Sequence, residues 1–224
     1  MKAFEYANPS TRDEVVQLLQ KYKGEAAVLA GGTDLLSLMK DEVENPSVVV
    51  NIKNVANAKG ISVNGDNITI GALTTLDELL EDKVVQQSAS ALVDAARGVA
   101  SPQIRSQGTV GGDLCQRPRC WYYRNGFGLL AMNDGSSLVV EGDNRYHAIL
   151  GSNGKAYFVN PSSLAPGLAA LGADVVILAV PDKAIATVAI EVAAGGALKR
   201  GAAVVHLAGG LPSGILSGVA FGED

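Results

Sequence analysis

Two diglycine turns hold the residues whose spacing could do chemistry. Val28 to Leu36 reads VLAGGTDLL, and Gly108 to Asp113 reads GTVGGD. In the first, an apolar run ends in Gly31-Gly32 and a helical pattern begins near Asp34. A diglycine at that point lets the backbone take positive φ and turn consecutive N–H groups to one side. Such a concave run beside a helix start suits an anion such as a pyrophosphate, and Thr33 could add a hydroxyl donor. The same residues suit a plain tight turn with Thr33 or Asp34 as helix cap. Neither turn fits G-x-G-x-x-G or a P-loop with its lysine, so the usual Rossmann and Walker readings fail.

The stretch that follows, Cys115 to Gly128, reads CQRPRCWYYRNGFG. Two thiolates cannot supply the four ligands of an iron–sulfur cluster. A zinc site would need two more ligands, and the only histidines are His147 and His206. No metal is therefore expected. Five arginines and one acid lie between Arg97 and Arg124, with Trp121, Tyr122 and Tyr123 among them. That pattern could suit a nucleic acid. The chain's net charge of −5 argues against it. Loop packing or contact with a partner subunit is the expectation for these arginines and aromatics. His147 and His206 read as structural, with no cysteine nucleophile placed beside His147 by sequence.

The elements that must position these turns follow from pattern. A chain of 224 residues can bury a real core. It is 47% apolar, and its 26 glycines exceed the usual share of roughly 7%. No 18-residue apolar run and no N-terminal h-region appear, so neither a membrane span nor a secretion signal is expected. Two cysteines suggest no disulfide framework and a reducing, cytoplasmic setting. Strands are expected at 4–6, 26–30 and 47–52. A helix capped by Ser10 or Thr11 should run to Gly24, and another should follow Asp34. Residues 60–71 alternate around Asn64-Gly65-Asp66 as a β-hairpin. Thr74 or Thr75 should cap a helix through Leu80, and 88–99 reads as a longer helix. The segment 101–114 reads as a loop, 141–150 as a polar loop, and 164–171 as a helix. Two buried strands with a helix between them, a βαβ unit, are expected after Ala173.

AGGTDLL and TVGGDL, in a chain that starts MKAFEYANPSTRDEVVQLL, resemble the flavin-binding medium subunit of the molybdenum hydroxylases. That family includes xanthine dehydrogenases, aldehyde oxidoreductases and carbon monoxide dehydrogenase. VVVNIKNV, IGALTTLDEL and PSSLAPGLAALGA match the same pattern, and the resemblance covers 1–173. It implies an α/β (α+β), two-subdomain FAD-binding fold, with boundaries at 1–56 and 57–224. It implies FAD wrapped by Leu29, Ala30, Gly31, Gly32, Thr33, Asp34 and Leu35. Thr109, Gly111, Gly112 and Asp113 would approach the same cofactor. Asp113 stands where the family more often has Asn, which adds a negative charge. Ser162, in Pro161-Ser162-Ser163, would face the adenosine part. CWYYR is similar to relatives that carry an extra cluster in this place, without enough cysteines to hold one.

The resemblance further implies a flavin-dependent oxidoreductase subunit that relays electrons, with no side-chain acid or base required. Its partners would be a molybdenum-cofactor large subunit and a [2Fe–2S] small subunit, and NAD⁺ or another acceptor would take the electrons. The tail, 174–224, is similar to an inner piece of a Rossmann NADP-dependent oxidoreductase, without the glycine fingerprint that binds the dinucleotide. Two alternatives stay open at this point: a Rossmann-type NADP-binding fragment, and a hybrid or truncated fold that binds no cofactor.

Overall fold

The computed structural model describes residues 1–65, 67–99, 101–148 and 156–173, with the backbone of the strands at 175–178 and 203–206. The first unit is a small parallel sheet. Strand β1 (Glu5–Ala7) leads to helix α1 (Arg12–Tyr22), then to β2 (Ala26–Leu29), α2 (Leu35–Lys40) and β3 (Val48–Asn51). The strands lie in the order β1-β3-β2, all parallel. Val48, Val49 and Val50 in the central strand are at most 1% exposed, as a run of β-branched residues covered on both faces should be. Thr11 caps α1 with its side chain on Glu14 N–H, and Glu14 reaches back to Thr11 N–H in a reciprocal capping box.

The second unit opens with the expected hairpin, β4 (Ile61–Asn64) against β5 (Asn67–Ile70), antiparallel. Helices α3 (Leu76–Glu81), α4 (Lys83–Ser88) and α5 (Ser90–Arg97) follow. Thr75 and Glu78 form a second capping box at the start of α3. The helix expected over 88–99 forms as the shorter α5, and Ala89 separates it from α4, which Asp82 caps.

The segment 101–114 departs furthest from expectation. It is not a loop but two capped helices, α6 (Pro102–Gln107) and α7 (Val110–Leu114). Ser101 takes the Ile104 N–H and Pro102 occupies the first helical position, which suits its missing donor and fixed φ. Thr109 takes the N–H of Gly112. Strong caps at both starts override the weak helix propensity of glycine.

Beyond it lie α8 (Trp121–Arg124), a short hairpin of β6 (Met132–Asn133) and β7 (Ser136–Ser137), α9 (Leu138–Glu141) and α10 (Leu164–Ala170). Glu141, where the polar-loop expectation begins, is instead the last residue of helix α9. Strands β8 (Val175–Leu178) and β9 (Ala203–His206) pair in parallel, as a βαβ unit requires. The expected helix between them lies outside the described residues. Among the described residues no helix is long and apolar enough to cross a membrane.

Two cores result. Leu76, Leu79, Val85, Leu92, Val93, Ala96, Val110, Leu114 and Leu164 form one, with the hairpin isoleucines packed against it. Each such fully buried side chain contributes about 2 kcal/mol by leaving water. The other joins Leu38 of α2 to Cys120, Tyr123, Ala131 and Val139. The cysteine- and aromatic-rich stretch is therefore not a projection but a cover laid over α2.

Candidate cofactor-binding site

Strand β2 delivers Leu29 and Ala30 to the carboxyl edge of the parallel sheet, where open α/β sheets hold their ligands. Gly32 follows at φ 75°, a left-handed conformation that a side chain resists. Gly31 has a different reason to lack a side chain. A Cβ there would sit 2.7 Å from the carbonyl carbon of Gln107 and 3.2 Å from the Cα of Gly108. The two glycine motifs thus meet backbone to backbone.

Among the described residues, the N–H groups of Gly31, Gly32, Thr33, Asp34 and Leu35 have no protein acceptor. The neighbouring carbonyls do have donors. Ile52 N–H donates to Leu29 O at 3.0 Å and Leu36 N–H to Gly32 O at 3.1 Å. Lys53 Nζ donates to Ala30 O at 3.3 Å. Backbone N–H groups left without a partner are rare unless water or a ligand takes them. Five in a row make a donor set suited to a bridging anion, and their half-exposed position makes it reachable.

The second motif uses its donors internally. Val110 N–H goes to Thr74 O at 2.9 Å, Gly111 N–H to Ala72 O at 2.8 Å and Asp113 N–H to Thr109 O at 2.8 Å. Gly112 N–H goes to Thr109 Oγ1 at 3.1 Å. Thr109 is 5% exposed. Asp113 and Ser162 come together: the Ser162 hydroxyl donates to Asp113 Oδ1, and Leu164 N–H donates to the same oxygen at 3.1 Å. Ser162 Oγ also accepts from Leu164 N–H at 3.1 Å and Ala165 N–H at 3.0 Å, so it caps α10. The extra negative charge of Asp113 is held by N–H and O–H donors.

A hydrogen-bonded path links the aspartates of the two motifs. Gln116 Nε2 donates to Asp113 Oδ2 at 3.0 Å, and Arg119 Nη2 donates to Gln116 Oε1 at 2.6 Å. Arg119 Nη1 then reaches Asp34 Oδ1 at 3.2 Å. Arg124 Nη2 meets the same oxygen at 3.0 Å, and Arg117 N–H donates to Asp34 Oδ2 at 2.8 Å. Asp34 precedes α2 but makes no side-chain cap. Its carboxylate faces the arginine segment instead. Tyr123 donates to Glu44 Oε1 at 2.6 Å, and Arg117 Nε lies 3.7 Å from the same oxygen. Burial, then the Glu44 carboxylate, push the Tyr123 phenol above its ordinary range.

One contact was beyond reach of sequence reasoning. Cys120 Sγ lies 3.1 Å from His147 Nε2, under the edge of Trp121, whose ring centroid is 4.8 Å from the imidazole's. His147 Nδ1 is buried without a partner among the described residues. Burial pushes the Cys115 thiol up to about 12, so it stays protonated and inert near neutral pH. Among the described residues no three His, Cys, Asp or Glu side chains gather as a metal site would need.

Known proteins agree on what this architecture is. Residues 2–194 match the family described as the FAD binding domain in molybdopterin dehydrogenase. The match continues past Ala173, so the first part of the tail read as Rossmann-like lies inside this family. The chain is 42% identical over 115 residues to the nicotinate dehydrogenase FAD-subunit of Eubacterium barkeri, covering 51% of the chain and 39% of that subunit. It is 33% identical over 175 residues to the aldehyde oxidoreductase FAD-binding subunit of Escherichia coli K12, covering 77% of the chain and 55% of the relative. A match of that length must include Cys115 to Gly128. Among solved structures, carbon monoxide dehydrogenase from Hydrogenophaga pseudoflava superposes with a TM-score of 0.50 at 36% identity, over 51% of this chain and 40% of that one. The chain spans less than two thirds of each of these relatives. From residue 2 to residue 194 it belongs to the FAD-binding domain family of the molybdopterin dehydrogenases, and FAD is its cofactor.

Proposed function

We propose that the chain is the FAD-carrying part of a molybdenum-dependent hydroxylase or dehydrogenase. It would relay electrons from iron–sulfur clusters of a small subunit, fed by a molybdenum-cofactor large subunit, to an acceptor such as NAD⁺. The relatives named as FAD subunits of nicotinate dehydrogenase and aldehyde oxidoreductase support the class. The observation that carries the reading is the run of five N–H groups from Gly31 to Leu35 that have no protein acceptor among the described residues.

In this reading Leu29, Ala30, Gly31, Gly32, Thr33, Asp34 and Leu35 wrap the cofactor's pyrophosphate with backbone donors. Lys53, exposed beside Ala30 and without a carboxylate partner among the described residues, adds positive charge at the same edge. Thr109, Gly111, Gly112 and Asp113 form the opposing wall, and Ser162 stands behind it. Because their polar groups bond to one another and to Ala72, they contribute shape and rigidity more than new donors. The cofactor would lie between residues 1–56 and 57–224. Bound flavin supplies the redox chemistry, and the chain positions it and excludes water.

The test is direct. The purified chain should carry a flavin absorbance band or take up added FAD with a saturable change in fluorescence. Gly32→Val should abolish that uptake, because the φ of 75° and the backbone's access to phosphate both require glycine. A chain that stays colourless with excess FAD, or a valine variant that binds normally, would sink the assignment.

A further inference from the structure

An aspartate inside a phosphate-wrapping turn is an electrostatic contradiction. Asp34 sits among the five available N–H groups, and its charge opposes any phosphate they would hold. We propose that Arg119 and Arg124 resolve the contradiction. They act as counter-charges that convert the turn from an anionic to a cationic site, selective for flavins that bear a pyrophosphate. The inference rests on the FAD reading above and adds a role for the arginine segment.

Both guanidiniums converge on Asp34 Oδ1, at 3.2 and 3.0 Å, while Arg117 N–H takes Oδ2 at 2.8 Å. Two positive charges against one negative leave a net positive charge behind the turn. Arg117 does not compete for this task, since its own guanidinium lies beside Glu44. The pairing has one deep and one open member. The Asp34 side chain is 18% exposed and that of Arg124 23%, whereas Arg119 is 61% exposed. The more buried Arg124–Asp34 pair is therefore less screened than the exposed Arg119 and acts more strongly on a neighbouring anion.

Arg124 is also built into place. Its Nε donates to Pro118 O at 2.9 Å and its Nη2 to Arg117 O at 3.0 Å. The planar guanidinium therefore ties the 117–118 backbone to Asp34 in one rigid fork, which a lysine could not reproduce. Arg119 and Arg124 are positioning residues: they act on the cofactor through Asp34.

Binding of FAD and of riboflavin, which has no phosphate, is measured by fluorescence titration in the full chain. The variants are R119Q/R124Q and the same pair with D34N. The double variant should bind FAD about tenfold more weakly and riboflavin within twofold of wild type. Adding D34N should restore FAD binding to within about threefold, because it removes the charge the arginines neutralise. Should the double variant not fold, R119Q alone, at the exposed position, should weaken FAD about threefold with riboflavin unchanged. Equal losses for FAD and riboflavin, or no rescue by D34N, would overturn the proposal and reduce the arginines to packing. A wild-type chain that binds no FAD overturns the cofactor reading itself, and this inference with it.

Discussion

The two glycine motifs are alike in composition and opposite in use. Among the described residues the Gly31-Gly32 turn leaves five successive N–H groups without protein acceptors, whereas Gly111-Gly112 delivers its own to Ala72 and Thr109. The deciding residue is a threonine. Thr109 precedes its diglycine at capping distance and closes the turn into a helix. Thr33 follows its diglycine, is exposed, and closes nothing. A pair of glycines is therefore not a phosphate signature by itself. Its meaning depends on whether a side-chain cap claims the donors first.

The sharpest way to break the comparison is Gly31→Ala. The added Cβ would fall onto the Gln107 carbonyl group, so the motifs must separate. We expect a loss of roughly 3 kcal/mol in urea unfolding, together with loss of FAD uptake. Unchanged stability would mean that the motifs do not touch. Next in size is a pair of threonine variants. Thr109→Ala should cost about 1 kcal/mol of stability as a lost helix cap, with little change in FAD affinity. Thr33→Ala should leave unfolding unchanged and weaken FAD a few-fold; the reverse pattern would invert the roles assigned to the two turns.

The smallest effect concerns pH. Partial burial pushes the Glu78 carboxyl up, but Lys59 Nζ at 2.7 Å and the Thr75 N–H pull it below its ordinary value. Hydrogen bonds from the Ser10 and Thr11 N–H groups lower Glu14 likewise. A depressed folded value means this stability is complete above the ordinary glutamate value of about 4.3 and fades as pH falls through the lower one. Thr109 has Gly112 in the place of those glutamates, so its cap carries no such dependence. Acid titration followed by hydrogen exchange should loosen the starts of α1 and α3 before that of α7. Simultaneous loosening would contradict the distinction.

Legibility in the sequence tracked the range of the interaction. The caps of α1 and α3, the hairpin and the strand segments depend on neighbours within a few residues, and their patterns are written there, whereas the parallel pairing of Glu5 with Val48 is not. Helices α6 and α7 were hidden because glycine-rich text reads as loop until the caps at Ser101 and Thr109 are weighed. The turn's composition and its family motif pointed to Gly31–Leu35. The partners of Asp34 could not be found that way, because Arg117 and Arg124 are 83 and 90 residues away. The same distance effect hid the Cys120–His147 contact, and it hid the fact that Asp113 and Ser162 bond to each other. Nothing in local periodicity marks which distant charge a carboxylate will meet.

Trp121 is the only tryptophan of the chain. It stacks edge-on against His147 and borders the core that seats the arginine segment on α2. Its emission is thus a built-in lamp on that cover, in a range that overlaps the near-ultraviolet absorbance of flavin, so bound cofactor would drain it by energy transfer. Undocking the segment would expose the indole further to water and shift its emission to longer wavelength. Observing the lamp and the flavin together would report, in one cuvette, whether the cover moves when the cofactor enters.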